Sequence, residues 1–231
     1  MDRDLTEAEF RECVLDRARF VGVVMRDADI DGLIGNLVVN GVEVMGYVEA
    51  ELDRRHPVRL LIRSSDPAEL LGGWRQLRAD WTATIVRLRR TPGLERESVN
   101  GEWSALQTLR HLVFVHDSWF RRCILGSTEP FTALGLAIDG VPADAHRGLD
   151  PAADPELDEV VTVRNAQAAE LERWLESAAP ATLAAPAPVP EDGGWPPYAR
   201  GRSVVQCLHT VLDEEWAHHG FCVRDLDLAE E

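Results

Sequence analysis

Large apolar residues recur every five positions near the start of the chain: Leu5, Phe10, Leu15, Phe20, Met25 and Ile30. Smaller apolar residues lie two positions before the later members of this series, and polar residues fill the gaps. An amphipathic helix is the alternative, but a five-residue period would spread the apolar side chains around its whole circumference. The pattern therefore predicts a repeat that is not helical.

Two short elements are predicted next. Residues 36–44 leave the five-residue register and read as short strands around the Asn40-Gly41 turn. Residues 47–55 predict a short helix that ends before His56-Pro57.

From Pro67 the apolar spacing becomes helical, and four helices of about 20 residues are predicted. Capping boxes, Ser104 with Gln107 and Ser203 with Gln206, mark the starts of the second and fourth helices. The third is expected to begin at Asp154-Pro155. Long loops at 127–153 and 178–202 separate these helices, an arrangement typical of a four-helix bundle with crossover connections.

The predicted fold class is α+β, a four-helix bundle with a small N-terminal β appendage. We expect a β segment at residues 1–48, a linker with a short helix at 49–66, and the bundle at 67–231.

The composition excludes some partners. The chain has 231 residues, 45% of them hydrophobic, and a net charge of −16. A surface with this much negative charge repels nucleic-acid phosphates and anionic lipids. We therefore expect neither nucleic acid nor a membrane as a partner. No apolar run approaches the roughly 20 residues of a membrane span, and no signal peptide is evident. Four scattered cysteines suit a reducing compartment, so we expect a cytoplasmic protein.

Candidate chemistry lies on the fourth helix. Glu215 and His219 are one turn apart on its apolar stripe, where an ionised carboxylate is costly unless it is paired or binds a cation. A divalent metal is one solution, because the pair offers an oxygen and a nitrogen to the same ion. The neighbouring register contains a second pair of the same spacing, Glu214 and His218, and spacing does not separate the two.

A third ligand is available on the second helix. His111 lies there among apolar residues, and metal sites in helical bundles are built from facing helices. A core histidine with no metal role is the alternative reading.

Two family resemblances follow. The repeat over residues 4–34 resembles the pentapeptide-repeat family, whose right-handed β-helix buries both apolar positions. The order Trp103-Ser104, Gln107, His111-Leu112 is similar to the first metal-ligand helix of DinB-like proteins. Those proteins typically hold a divalent metal through three histidines. Here a glutamate replaces the second histidine, as in the mycothiol-dependent maleylpyruvate isomerases, whose zinc is held by His, Glu and His. That resemblance favours His111, Glu215 and His219 as the ligands.

The resemblance implies a metal-dependent enzyme that uses a low-molecular-weight thiol such as mycothiol, with thiol-transferase or isomerase chemistry on a small-molecule substrate. Zinc is the favoured metal, with nickel, iron and manganese as alternatives. Similar bundles often form homodimers. The competing hypothesis is a non-catalytic interaction module that uses the acidic surface of the repeat segment.

Overall fold

The computed structural model describes residues 4–10, 13–30, 32 and 34–229, and the chain divides into two units, Met1–Tyr47 and Val48–Glu231. Parts of the predicted repeat, at residues 11, 12, 31 and 33, lie outside the described residues, as do 1–3, 230 and 231.

The N-terminal unit has a backbone repeat of ten residues. Glu7, Arg17 and Asp27 all have left-handed conformations, with φ of 62°, 60° and 55°. The amide of Ala8 donates to the carbonyl of Leu5, and that of Ala18 to Leu15, both at 3.0 Å. Each of these hydrogen bonds closes a turn, so turns recur in the main chain at twice the five-residue period of the sequence.

The expected β-helix is not shown, however. Residues 4–10 and 13–30 contain no assigned strand. The six apolar centres of the repeat are between 51% and 60% exposed, whereas the prediction placed them inside. The physical reason is length, because so few coils enclose little interior of their own.

The predicted hairpin is present. Strands β1 (Val38–Val39) and β2 (Val42–Glu43) pair antiparallel, with Val39 opposite Val42. Asn40 and Gly41 both have positive φ, at 51° and 85°, which a two-residue turn between twisted strands requires.

The remaining elements are helical: α1 (Met45–Arg55), α2 (Val58–Ile62), α3 (Pro67–Leu88), α4 (Ala105–Val115), α5 (Leu157–Ser177), α6 (Pro180–Ala184) and α7 (Val204–Ala229). Single 3-10 turns lie at Leu94–Arg96, Ala143–Ala145 and Pro197–Ala199. Among the helices of the described residues, none combines the length and apolar character that crossing a bilayer requires.

Capping sets most of the helix starts. Ser104 accepts a hydrogen bond from the amide of Gln107, whose side chain accepts one from the amide of Ser104, so the predicted capping box is confirmed. Helix α5 begins at Leu157, later than the expected start at Asp154-Pro155, and the Glu159 carboxylate accepts from the Glu156 amide at 2.8 Å.

The four long helices pack around a core of buried aliphatic and aromatic side chains. Residues 49–66, expected as a linker, lie in the larger unit. There the buried Arg59 pairs with Glu49 and Asp53 and lies 4.5 Å above the ring centroid of Trp216 on α7. The segment before the bundle is therefore tied to its last helix.

Helix α4 continues without a break into a π-helix, His116–Ile124. Its wider hydrogen bonding is seen where the amide of Leu125 donates to the carbonyl of Phe120, five residues back. A π-helix of this length is unusual, and π turns are frequent at functional sites. All of its side chains except Arg121 are buried.

Candidate metal centre

His111 enters the bundle from α4 and is 5% exposed. Its Nδ1 lies 3.2 Å from the carbonyl oxygen of Leu136 in the loop 127–153. A carbonyl only accepts hydrogen bonds, so Nδ1 carries a proton in this contact, and Nε2 is the ring nitrogen that faces the rest of the cluster. That Nε2 lies 3.7 Å from Oε2 of Glu214.

Helix α7 supplies two further groups, one turn apart. Oε2 of Glu214 lies 3.0 Å from Nε2 of His218. Ligand atoms of His111, Glu214 and His218 all lie within 4.8 Å of one another. Within the part of the chain that the structure describes, this is the group of three such side chains close enough to share a metal ion.

The carboxylate of this cluster is held in its ionised form. Burial on its own raises the pKa of Glu214, but the hydrogen bonds and positive charges that His111 and His218 supply when protonated outweigh burial and bring that pKa to about 2. The cluster thus offers a carboxylate that is ionised at neutral pH beside two imidazole rings.

The structure places Glu215 and His219, the pair that the family resemblance favoured, on another side of α7. Glu215 is 1% exposed and accepts two hydrogen bonds from the guanidinium of Arg164 on α5, at 2.7 and 2.6 Å. Nε2 of His219 lies 2.9 Å from the hydroxyl of Thr84 on α3. Glu214 and His218 meet His111 instead. The physical reason is rotation, because one residue along an α-helix turns a side chain by about 100°.

The sequence contains a signal for this outcome. Arg164 falls on the apolar stripe of the third predicted helix. A buried arginine requires a buried carboxylate as its partner, so it competes with a metal for Glu215.

Aromatic side chains surround the two histidines of the cluster. The Trp103 ring is 4.9 Å from that of His111 and stacks at 6.4 Å on that of His218. Phe114 lies 6.1 Å from His111, and Phe221 lies 5.8 Å from His218. These rings pack around the two imidazoles and limit their rotation.

The outer side of the cluster is open. The side chain of Glu214 is 37% exposed and that of His218 is 18% exposed, whereas His111 is 6% exposed. A small molecule would therefore approach from the side of Glu214.

Other residues singled out from the sequence have structural partners. Cys222 is buried, and burial raises the pKa of its thiol to about 12, so it is protonated and does not join the cluster. His116 lies 3.5 Å from Glu170, and burial lowers the pKa of its imidazole. Asp117 is fully buried, and burial raises the pKa of its carboxyl. It accepts hydrogen bonds from Thr132 and Gln167, not from a ligand histidine.

The donor set fits a divalent metal. Nδ1 of His111 bonds to the carbonyl of Leu136, so its Nε2 faces Oε2 of Glu214 at 3.7 Å, and Nε2 of His218 lies 3.0 Å from the same oxygen. Two nitrogens and one oxygen suit zinc and several other transition metals, and three protein ligands leave positions open for substrate.

Taken together, the fold and the cluster define a helical bundle with a candidate two-histidine, one-carboxylate metal site. The family model described as the DinB superfamily matches residues 76–222, more than half of the chain. The chain belongs to the DinB superfamily. The match contains all three residues of the cluster and none of the N-terminal unit. Comparison with curated proteins and with solved structures gives no match.

Proposed function

We propose that the chain is a divalent-metal enzyme that acts with a low-molecular-weight thiol, in a thiol-transferase or isomerase reaction. The observation that carries the metal is the convergence of His111, Glu214 and His218. Membership of the DinB superfamily supports it, because the resemblance implies a metal at this position of the bundle.

His111 and His218 would bind the metal through imidazole nitrogens and Glu214 through a carboxylate oxygen. A divalent metal with open positions lowers the pKa of a bound thiol or water, which is the chemistry that this reaction class needs. The chain's own residues provide the rest. Trp103 and Phe221 hold the imidazoles from the side, and the exposed edge of Glu214 leaves a route for a small thiol.

The experiment is metal content by mass spectrometry on protein purified without a histidine tag. About one metal per chain is expected in the parent, and a loss in the His111→Ala, Glu214→Gln and His218→Ala variants. His219→Ala is the matched control, because it changes the neighbouring histidine and leaves the cluster intact. Loss of metal in His219→Ala but not in His218→Ala would show that Glu215 and His219 hold the metal instead of Glu214 and His218. A parent that contains no metal after incubation with zinc, nickel and manganese would overturn the proposal.

The thiol is tested separately, on protein loaded with cobalt. A thiol that binds the metal produces a sulfur-to-cobalt charge-transfer band in the near ultraviolet. We expect that band on titration with small thiols, and no band with the Glu214→Gln variant. A metal-loaded parent that shows no band with any thiol tested would argue for a metal enzyme of another class.

A second candidate function is an interaction module in the N-terminal unit. The observation in its favour is the row of exposed apolar side chains between Leu5 and Ile30, a feature that marks binding surfaces. A homodimer formed through this row is one form of the hypothesis. Sedimentation of the full chain, beside a variant with Phe10 and Phe20 changed to serine, tests it, and a monomer in both cases would exclude the homodimer.

A further inference from the structure

The loop 127–153 lies against α4 next to the cluster. The amide of Leu136 donates to the carbonyl of Arg110 at 3.0 Å, and Nε of Arg110 donates to the carbonyl of Leu134 at 3.0 Å. The carbonyl of Leu136 then accepts from Nδ1 of His111 at 3.2 Å. Three successive contacts therefore join loop residues 134–136 to two neighbouring residues of the helix.

A buried carboxylate holds the start of the same loop. Asp117, in the π-helix, accepts a hydrogen bond from the amide of Thr132 at 2.7 Å. It also accepts from Nε2 of Gln167 at 2.9 Å and from Arg121 at 3.0 Å. With 0% exposure and three donors, this side chain ties the loop to the π-helix and to α5.

Glycine at position 135 permits the close approach. A Cβ added there would lie 2.8 Å from Cδ2 of Leu149, 3.3 Å from the carbonyl of Thr132 and 3.5 Å from Cα of Phe114. The loop is thus pressed against the backbone of α4 one residue before Leu136, and this places the Leu136 carbonyl within reach of His111.

The geometry points to the loop 127–153 as a structural component of the candidate metal centre, in which the carbonyl of Leu136 fixes the tautomer of His111. Arg110 and Asp117 are positioning residues that act through the loop. They keep the proton of His111 on Nδ1, so that Nε2 faces Glu214 with its lone pair free. Partners of this kind orient metal-binding histidines and raise metal affinity. The consequence for metal rests on the proposed function, whereas the tautomer does not.

The tautomer is measured by proton–nitrogen correlation NMR of histidine-labelled, metal-free protein, at about pH 8, above the ordinary titration range of histidine. The resonances of His111 are assigned by their absence from His111→Gln. We expect the Nδ1–H form in the parent, and a mixture of the two tautomers in Arg110→Met and Asp117→Asn. Asp139→Asn is the matched control, because it makes the same chemical change at an exposed position of the same loop.

Zinc affinity is measured on the same proteins by competition with a chromophoric chelator. Arg110→Met and Asp117→Asn are expected to weaken zinc binding by about 10- to 100-fold, the range found when such partners are removed, and Asp139→Asn to leave it unchanged. Circular dichroism verifies that each variant retains its helices.

An unchanged His111 tautomer in both Arg110→Met and Asp117→Asn would overturn the inference, as would an equal shift in Asp139→Asn. Should Asp117→Asn fail to fold, Arg110→Met decides alone, because the Arg110 side chain is only partly buried and its replacement is less disruptive. A parent that binds no zinc would count against the proposed function, and the tautomer would still test this inference.

Discussion

Glu215 makes two parallel hydrogen bonds to the guanidinium of Arg164, at 2.7 and 2.6 Å, while its neighbour Glu214 lies among the histidines of the candidate metal centre. One acid therefore locks α7 against α5, and the next faces the open side of the cluster. The pair with Arg164 sets the rotation of α7, and that rotation determines which of the two Glu–His pairs meets His111.

Substitutions of Glu214 and Glu215 should have opposite effects on metal content and on the free energy of unfolding. Glu214→Gln removes a candidate metal ligand from a partly exposed position, so we expect metal content to fall while the free energy of unfolding changes little. Glu215→Gln leaves the buried charge of Arg164 without its partner, a change that typically costs about 3–5 kcal/mol. Urea unfolding of the metal-free proteins, with metal analysis of the same samples, measures both quantities. The reverse pattern would show that Glu215 is the ligand.

Replacing the whole ion pair gives a further prediction. The double variant Arg164→Met/Glu215→Leu removes both charges and fills similar volume, and such exchanges are often neutral or stabilising by about 1–4 kcal/mol. We expect it to recover most of the stability that Glu215→Gln loses, as measured by urea unfolding. A double variant as unstable as Glu215→Gln would mean that shape, not charge, dominates at this position.

Adjacent glycines on α3 provide a matched pair for packing. A Cβ at Gly73 would lie 3.1 Å from the amide nitrogen of Ile62, whereas at Gly72 it would meet nothing within 4 Å. Gly73→Ala therefore forces α2 away from α3 and should cost about 1–3 kcal/mol. Gly72→Ala should stabilise the exposed helix by about 0.5–1 kcal/mol. Thermal unfolding of both variants tests the prediction, and equal shifts would contradict the close contact between these helices.

Much of the bundle follows from local chemistry that a sequence displays. The apolar spacing of α3 and the capping box at Ser104 are properties of neighbouring residues, so helix types and most helix starts could be predicted. The π-helix from His116 could not, because its wider turns depend on how the buried side chains pack. The choice between Glu214 and Glu215 depends on a partner 51 residues away in sequence, Arg164, and thus on tertiary structure.

In the N-terminal unit, too, the local pattern was predictable from the sequence and the burial of the side chains was not. A five-residue period is visible in the sequence, and turns recur at Glu7, Arg17 and Asp27. Whether the apolar centres are buried depends on how many coils stack and on what covers them, which a local period does not encode.

Buried histidine should make the stability of the bundle depend on pH. Burial lowers the pKa of His116 below its ordinary value of 6.5, so below that pH the unfolded chain binds a proton that the folded chain excludes. Stability is then fully present above about pH 6.5 and is lost as the pH falls toward the lower folded-state pKa, by up to about 1.4 kcal/mol per pH unit. Urea unfolding of metal-free protein at pH 7.5 and 5.5 measures the loss, and His116→Gln should reduce it. Burial also lowers the pKa of His219, so part of the pH dependence of stability should persist in the His116→Gln variant. An equal loss of unfolding free energy between pH 7.5 and 5.5 in the parent and in His116→Gln would show that His116 does not contribute.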